Sequence, residues 1–392
     1  MSPIRSASIA ALASAVLATT LTGCQFGGEQ QDTSPIVVAA DLELSGASAP
    51  LGKVYQRALE LKVEQLNSSG ALGGRKIELK VKDNRSDAAE SLRNINDFAN
   101  DSRVTAVIMG GCNECAVGAA RTIGDKRIPT IALASAGAVT QPVAERKYVF
   151  KLAPNAADSA AALTTELARK GIRKVGVLHG ADEYGQEGLA ALKGEFGKAG
   201  IRLLRAEAVR PTDTDVSGQV SQLVAKKPQA LIIWTPPEQA SLAASAAREN
   251  RFGGPLFLDA AAAGDLFLGT SAATEQATLI FTQTMVIDDV IATTPAKAAR
   301  RQWFQDYTAH FGGYHGFSSF AADAVQLIAD AELRSGGEPG KVNRDALRDV
   351  LETSQLDGLS GPIRMTPDNH SGLMPQALTT LVARGGRWRL AG

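Results

Sequence analysis

The chain predicts an α/β protein of two doubly wound lobes with parallel central sheets, on three observations. Continuous apolar runs of strand length alternate with stretches of helical periodicity, and repeated strand–helix units call for parallel sheets covered on both faces. The alternation comes in two successive sets, broken near Ala153–Asn155. At 392 residues and 44% hydrophobic, the chain can bury the cores of two or three domains.

Ahead of the first strand lies a different kind of segment. Arg5 is the only charged residue before position 29, and residues 7–21 are apolar or small. A positive start and a short apolar run predict an export signal, too short for a comfortable membrane span. Leu21-Thr22-Gly23-Cys24 resembles the bacterial lipoprotein box. That resemblance implies cleavage after residue 23, acylation of Cys24 and a lipid anchor in a membrane of the cell envelope, facing periplasm or exterior. Residues 24–35 are polar and Gly-containing, and are expected to be a flexible tether.

The first strand is Ile36–Ala40, an uninterrupted apolar run suited to a strand buried on both faces. Leu51, Val54, Ala58 and Leu61 recur at helical spacing up to the turn region 67–74. Ile77, Leu79 and Val81 alternate with Lys76, Glu78, Lys80 and Lys82, a strand with one wet face whose lysines suit a sheet edge. A helix from Ala88 to Ala99, a strand at 104–109, a helix at 116–124 and a strand at 128–133 complete the first set. The second begins after Pro154: helix 160–169, strand 175–178, a helix through Leu189, Leu192 and Phe196, and strand 203–209. Helix 216–224, strand 230–234, helix 242–248 and strand 256–258 follow. Beyond Val290 the pattern is helical, turning strand-like at 378–382.

Equal numbers of basic and acidic side chains, 41 of each, give no global argument for nucleic acid as a partner. The spacings of a nucleophile elbow, a phosphate-cradling loop, a dinucleotide fingerprint and an H-E-x-x-H zinc helix are absent. The four histidines show no metal-ligand spacing. An enzyme is not supported, and neither a cofactor nor a metal is implied.

In open parallel sheets, ligands bind beyond the carboxyl ends of strands, where helix N-termini present free N–H groups. That rule selects residues 45–52, 110–115 and 134–140 in the first set, and 179–185, 234–238 and 259–264 in the second.

Here the chain resembles the type I periplasmic solute-binding proteins of ABC transporters, in particular the leucine/isoleucine/valine-binding branch. The matching residues are Leu44-Ser45-Gly46 with the Gly52 turn, Asn67–Gly74 with Lys80-Val81-Lys82-Asp83-Asn84, Ile128-Pro129-Thr130-Ile131, and Val175-Gly176-Val177-Leu178 leading to Glu183-Tyr184-Gly185. The resemblance covers about residues 36–392. It implies two lobes joined by three crossings and closing on a small ligand, with lobe 1 formed by 36–153 plus 285–370 and lobe 2 by 154–284 plus 371–392. The crossings are expected near 153–155, 283–285 and 371–374.

Carried over position by position, the family's ligand contacts fall on Leu51, Asn113, Ala134, Ser135 and Ala136 in the first lobe. In the second they fall on Tyr184, Pro236 and Ala261, and Trp234, at a strand end, and the nearby Asp259 are added as candidates. Several depart from the family pattern. Asn113 stands in place of a hydroxyl residue, Leu51 and Pro236 in place of tyrosines, and Ala136 in place of a hydroxyl residue. The family's ammonium-holding Glu has no counterpart, with Asp259 and Asp265 the nearby acids. Tyr184, flanked by Asp182-Glu183 and Gly185, reads as a loop residue, with core packing the alternative. Trp234 reads equally as cleft wall or core, and Asn113 as ligand contact or helix cap.

Cys112-Asn113-Glu114-Cys115 at a helix start suits either a redox pair or a plain disulfide; outside the cytoplasm the disulfide is expected. The resulting expectation is an exported lipoprotein that binds a small polar solute, an amino acid or a relative. It would pass that solute to an ATP-driven permease. A sensor of the same fold signalling to a protein partner, and an envelope hydrolase, are the alternatives.

Overall fold

The computed structural model describes residues 32–391 apart from 211, 264, 269–270, 290 and 337–339. The export signal, Cys24 and the side chain of Asp265 fall outside the described part.

The first lobe is built on a five-stranded sheet: β1 (Ile36–Leu42), β2 (Ile77–Asp83), β3 (Val104–Met109), β4 (Thr130–Ala132) and β5 (Val149–Lys151). Its order is β2-β1-β3-β4-β5, and every pairing is parallel. All seven residues of β1 are buried because it has a neighbour on each side, whereas β2, with its lysines, buries only Ile77 and forms the sheet edge. Between the strands run α1 (Ala49–Ser69), α2 (Ala88–Asn100) and α3 (Asn113–Asp125). Helix α1 has proline in its first turn and ends on Gly70 at φ 73°, a left-handed conformation that glycine adopts without a Cβ penalty.

The chain then passes through α4 (Ala156–Arg169) into a second sheet. This sheet holds β6 (Lys174–Gly180), β7 (Arg202–Val209), β8 (Ala230–Trp234), β9 (Leu256–Leu258) and β10 (Thr278–Thr282), with α5 (Glu183–Ala199), α6 (Ser217–Val224) and α7 (Pro237–Glu249) between them. The short helices α8 (Asp265–Leu268) and α9 (Ser271–Thr274) precede β10. After β10 the chain leaves the second sheet for α10 (Pro295–Phe311), α11 (Ser318–Ser335), which packs on α1, and α12 (Arg344–Leu351). A small antiparallel pair, β11 (Gln355–Asp357) and β12 (Pro362–Arg364), leads back to β13 (Leu378–Arg384) and β14 (Arg387–Leu390).

The second sheet has the order β14-β13-β10-β9-β8-β6-β7. Its strands β7, β6, β8, β9 and β10 are parallel, as the sequence predicts, and β13 and β14 add an antiparallel edge. The hairpin turns through Gly385 and Gly386, both at positive φ, so β14 needs no crossover helix. Strands β5, β10, β11, β12 and β14 are absent from the sequence reading. Among the described residues no helix is long and apolar enough to cross a membrane.

Candidate functional site

The carboxyl ends of both sheets carry the loops that the strand-end rule selects. In the first lobe these loops are stitched together by carboxylates and amides. Asp83, at the end of β2, accepts from the backbone N–H of Leu44 at 3.0 Å and Ser45 at 3.1 Å, and from the Ser45 hydroxyl at 2.6 Å. Glu43, just beyond β1, is fully buried and accepts from the N–H groups of Gly111 and Cys112, each at 3.1 Å, and from Asn84 Nδ2 at 3.3 Å. Burial pushes the Glu43 carboxyl above its ordinary range, against those hydrogen bonds.

Asn113 is the first residue of α3, and Cys112 caps the helix with its sulfur accepting from the Cys115 N–H at 3.1 Å. Asn113 is therefore not the cap. Its Oδ1 accepts instead from the backbone N–H of Ser135 at 2.9 Å and Ala136 at 2.8 Å. One side chain thus joins the loop after β3 to the loop after β4. Ala134 and Ala136 are buried; Leu51 and Ser135 are half-buried, and Leu51 lies against Gly111. Lys151, at the end of β5, is fully buried and donates from Nζ to the Ser135 carbonyl at 2.6 Å. Burial pulls its ammonium down to about 8, with Glu187 and Asp158 acting the other way.

In the second lobe Tyr184 lies in the first turn of α5, not in a loop, because Asp182 caps the helix by accepting from the Gly185 N–H at 2.8 Å. The Tyr184 ring stands 6.0 Å from the Trp234 ring, and its hydroxyl donates to Asp259 Oδ2. The same oxygen accepts from the Ala261 N–H at 3.1 Å. Asp259 is fully buried at the end of β9; burial pushes its carboxyl up to about 7, and the hydrogen bonds from Tyr184 and Ala261 oppose the shift. Its second oxygen, Oδ1, has no hydrogen-bond partner, and Trp234 Nε1, which lies against Gly188 of α5, has none either. Trp234 is wholly enclosed, pressed against Gly188 of α5. Pro236 and Ala261 are half-buried at the same end.

Among the described residues, Gly137 of the first lobe donates its N–H to Glu187 Oε2 of α5 at 2.8 Å, and the hydroxyls of Thr140 and Ser371 meet at 3.0 Å. Glu43, Lys151 and Glu187 are missing from the sequence reading. Each is a charged residue beside an apolar or small-residue stretch, a weak signal that only placement turns into a role. Cys112 and Cys115 are bonded to each other, so their sulfurs offer no thiolate to a metal. Two surface cavities, of about 470 Å³ beside Arg127, Asn343 and Asp345 and about 350 Å³ beside Phe304, Tyr314 and Trp388, lie away from these loops.

Two α/β sheets with polar loops at their strand ends, joined by the Gly137–Glu187 hydrogen bond, have the architecture of the type I binding fold. A family profile described as "Periplasmic binding protein" matches residues 35–386, and the chain belongs to that family. An extracellular ligand-binding receptor from Rhodopseudomonas palustris HaA2 superposes with a TM-score of 0.83 at 25% identity, covering 91% of this chain and 99% of that one. The leucine-binding protein LivK of Thermotoga maritima superposes with a TM-score of 0.78 at 19% identity, covering 91% and 98%, a likeness of fold. An amino acid binding protein of Pseudomonas aeruginosa is 22% identical over 182 residues, which are 46% of this chain and 48% of that relative. The chain therefore matches about half the length of that curated relative.

Proposed function

We propose that this protein is an exported solute-binding protein that captures a small polar solute bearing an amino group, of the amino acid class, and delivers it to an ABC-transporter permease. The observation that carries the reading is Asp259. A buried carboxylate with one oxygen unpartnered is costly, and a ligand ammonium would both pair with it and lower its pKa. Tyr184 and Ala261 hold its other oxygen in place. Opposite, the Ser135 and Ala136 N–H groups are taken by Asn113, so the ligand's carboxylate would meet the Asn113 amide and the Ser135 hydroxyl. Leu51, Ala134, Ala136, Trp234 and Pro236 would supply the walls. The names of the Pseudomonas and Thermotoga relatives agree with an amino acid ligand.

The reading includes acylation of Cys24 after removal of residues 1–23. It also divides the chain into lobes at 36–153 plus 285–370 and 154–284 plus 371–392. The test is calorimetry with a panel of amino acids at pH 6.5 in buffers of different ionisation enthalpy. Binding should release a proton as the ammonium draws Asp259 to its charged form, and Asp259→Asn should abolish that release and the affinity. A tight ligand without an amino group, indifferent to Asp259→Asn, overturns the reading. For the anchor, Cys24→Ala should move the protein from membranes to the soluble envelope fraction.

A further inference from the structure

The Cys112–Cys115 pair has features that a plain staple does not need. The two sulfurs are unequal: Cys112 is half-exposed at the N-cap of α3, while Cys115 is 1% exposed in the first turn. The Cys115 N–H points at Cys112 Sγ from 3.1 Å, placing a backbone donor and the positive end of a 13-residue helix where a Cys112 thiolate would form. Beneath the pair lies the buried Glu43, with a carboxylate oxygen and the two sulfurs all within 4.8 Å of one another. We propose that Cys112 and Cys115 form a thiol–disulfide exchange centre for an external dithiol, in which Cys112 is attacked, Cys115 leaves, and Glu43 carries the proton.

The chemistry balances as follows. A thiolate of the external dithiol, its proton lost to solvent, attacks Cys112 Sγ. The Cys112–Cys115 bond breaks, and the Cys115 sulfur leaves with the bonding pair and takes the proton of Glu43. The partner's second thiol gives its proton to the Glu43 carboxylate and attacks its own sulfur in the mixed disulfide. That step closes the partner's disulfide and releases Cys112 as a thiolate. Two electrons pass to the protein, one proton ends on Cys115 and one in solvent. Burial pushes the Glu43 carboxyl above its ordinary range, with the hydrogen bonds from Asn84, Cys112 and Gly111 opposing the shift. The other titratable groups around the pair are Asp41, linked to Glu43 through Asn84, Tyr55 of α1, which lies against Gly111, and Glu114 in the first turn of α3. Because Asn113 sits between the two cysteines and holds Ser135 and Ala136, reduction would also loosen the first-lobe loop.

The test uses the full chain and dithiothreitol as the dithiol, with peptide mapping to separate these cysteines from Cys24. Dithiothreitol should reduce the pair while circular dichroism keeps its folded signature. Brief iodoacetamide treatment should then label Cys112 at least about tenfold faster than Cys115, with a pH midpoint below the usual thiol range of about 8–9. Cys115→Ser should form a stable mixed disulfide at Cys112 with the chromogenic aryl disulfide DTNB. Glu43→Gln should slow reduction and shift its pH profile while leaving Cys112 labelling intact. A pair that resists dithiothreitol until the protein unfolds, or sulfurs that label alike with an ordinary thiol profile, overturns the proposal. Those measurements on the parent protein decide it even if Glu43→Gln fails to fold. A folded Glu43→Gln with the parent's profile removes Glu43 from the mechanism.

Discussion

In the first lobe, the helix after β1 begins so close to the strand end that a Cβ on Gly52 would lie 2.0 Å from the Glu43 carbonyl oxygen. In the second, α5 repeats the device: a Cβ on Gly185 would lie 2.1 Å from the Gly180 carbonyl oxygen. The backbone arrangement is shared, but the chemistry built on it diverges. Around the first-lobe loops the carboxylates of Glu43 and Asp83 and the amide oxygen of Asn113 each take two or more donors from within the lobe. Around the second, Asp259 Oδ1 and Trp234 Nε1 stay unpaired in a fully buried wall. Leaving such groups unpaired costs about 1–3 kcal/mol each. The first lobe spends its polar capacity on holding its own shape, and the second keeps some in reserve.

The largest expected effect tests that reserve. Burial raises the Asp259 carboxyl from 3.8 to about 7, so between those pH values the folded protein holds a proton that the unfolded chain has released. Its contribution to stability is therefore complete below about pH 4 and is lost as pH rises through 7, on the order of 4 kcal/mol in total. Denaturant melts without added ligand should show the parent losing stability relative to Asp259→Asn across that window. A constant difference between the two would erase the contrast between the lobes.

Next come the shared glycines. Gly52→Ala and Gly185→Ala each force a side chain onto backbone that has no room to yield, and each should cost roughly 3 kcal/mol in thermal or urea melts. If only one is damaging, the two lobes do not share the device. A smaller loss, about 2 kcal/mol, is expected from Asn113→Ala, which strips the partner from two loop N–H groups. That loss should appear as faster hydrogen exchange at Ser135 and Ala136, and intact protection there would show that the loop holds itself. The smallest effect, about 1 kcal/mol or less, is expected from Glu187→Gln, which weakens the hydrogen bond it accepts from Gly137. Small-angle scattering should show a larger radius of gyration for that variant; an unchanged radius would remove the bond from any role in setting how far the lobes part.

Much of the fold was legible because the signals were local. The unbroken Ile36–Ala40 run announced an interior strand, and the lysines of β2 announced an edge. Strands β5 and β14 were missed for want of length: three or four residues hold too little periodicity to register. Strand β10 is longer and wholly buried, but its Thr-Leu-Ile-Phe-Thr run shows no alternation that separates a buried strand from a buried helix turn. At the site, the sequence predicts a loop at Tyr184 because Asp182 and Gly185 are turn formers, yet in the fold the same two residues form a helix cap. Asn113 reads in the sequence as ligand contact or cap, and the structure gives it a third occupation as a tie between loops.

From the sequence alone came most of the alternation of strands and helices, the strand-end loops and the close Cys112–Cys115 spacing, since each depends on residues within a few positions of one another. Only the tertiary structure decided which charges are buried and what they face. Glu43 meets the α3 start 68 residues away at Gly111, Tyr184 meets Asp259 across 75, and Lys151 reaches the Ser135 carbonyl from a neighbouring strand. Desolvation and hydrogen bonding depend on distance in space, and residues far apart in the chain acquire that distance only when both sheets have formed.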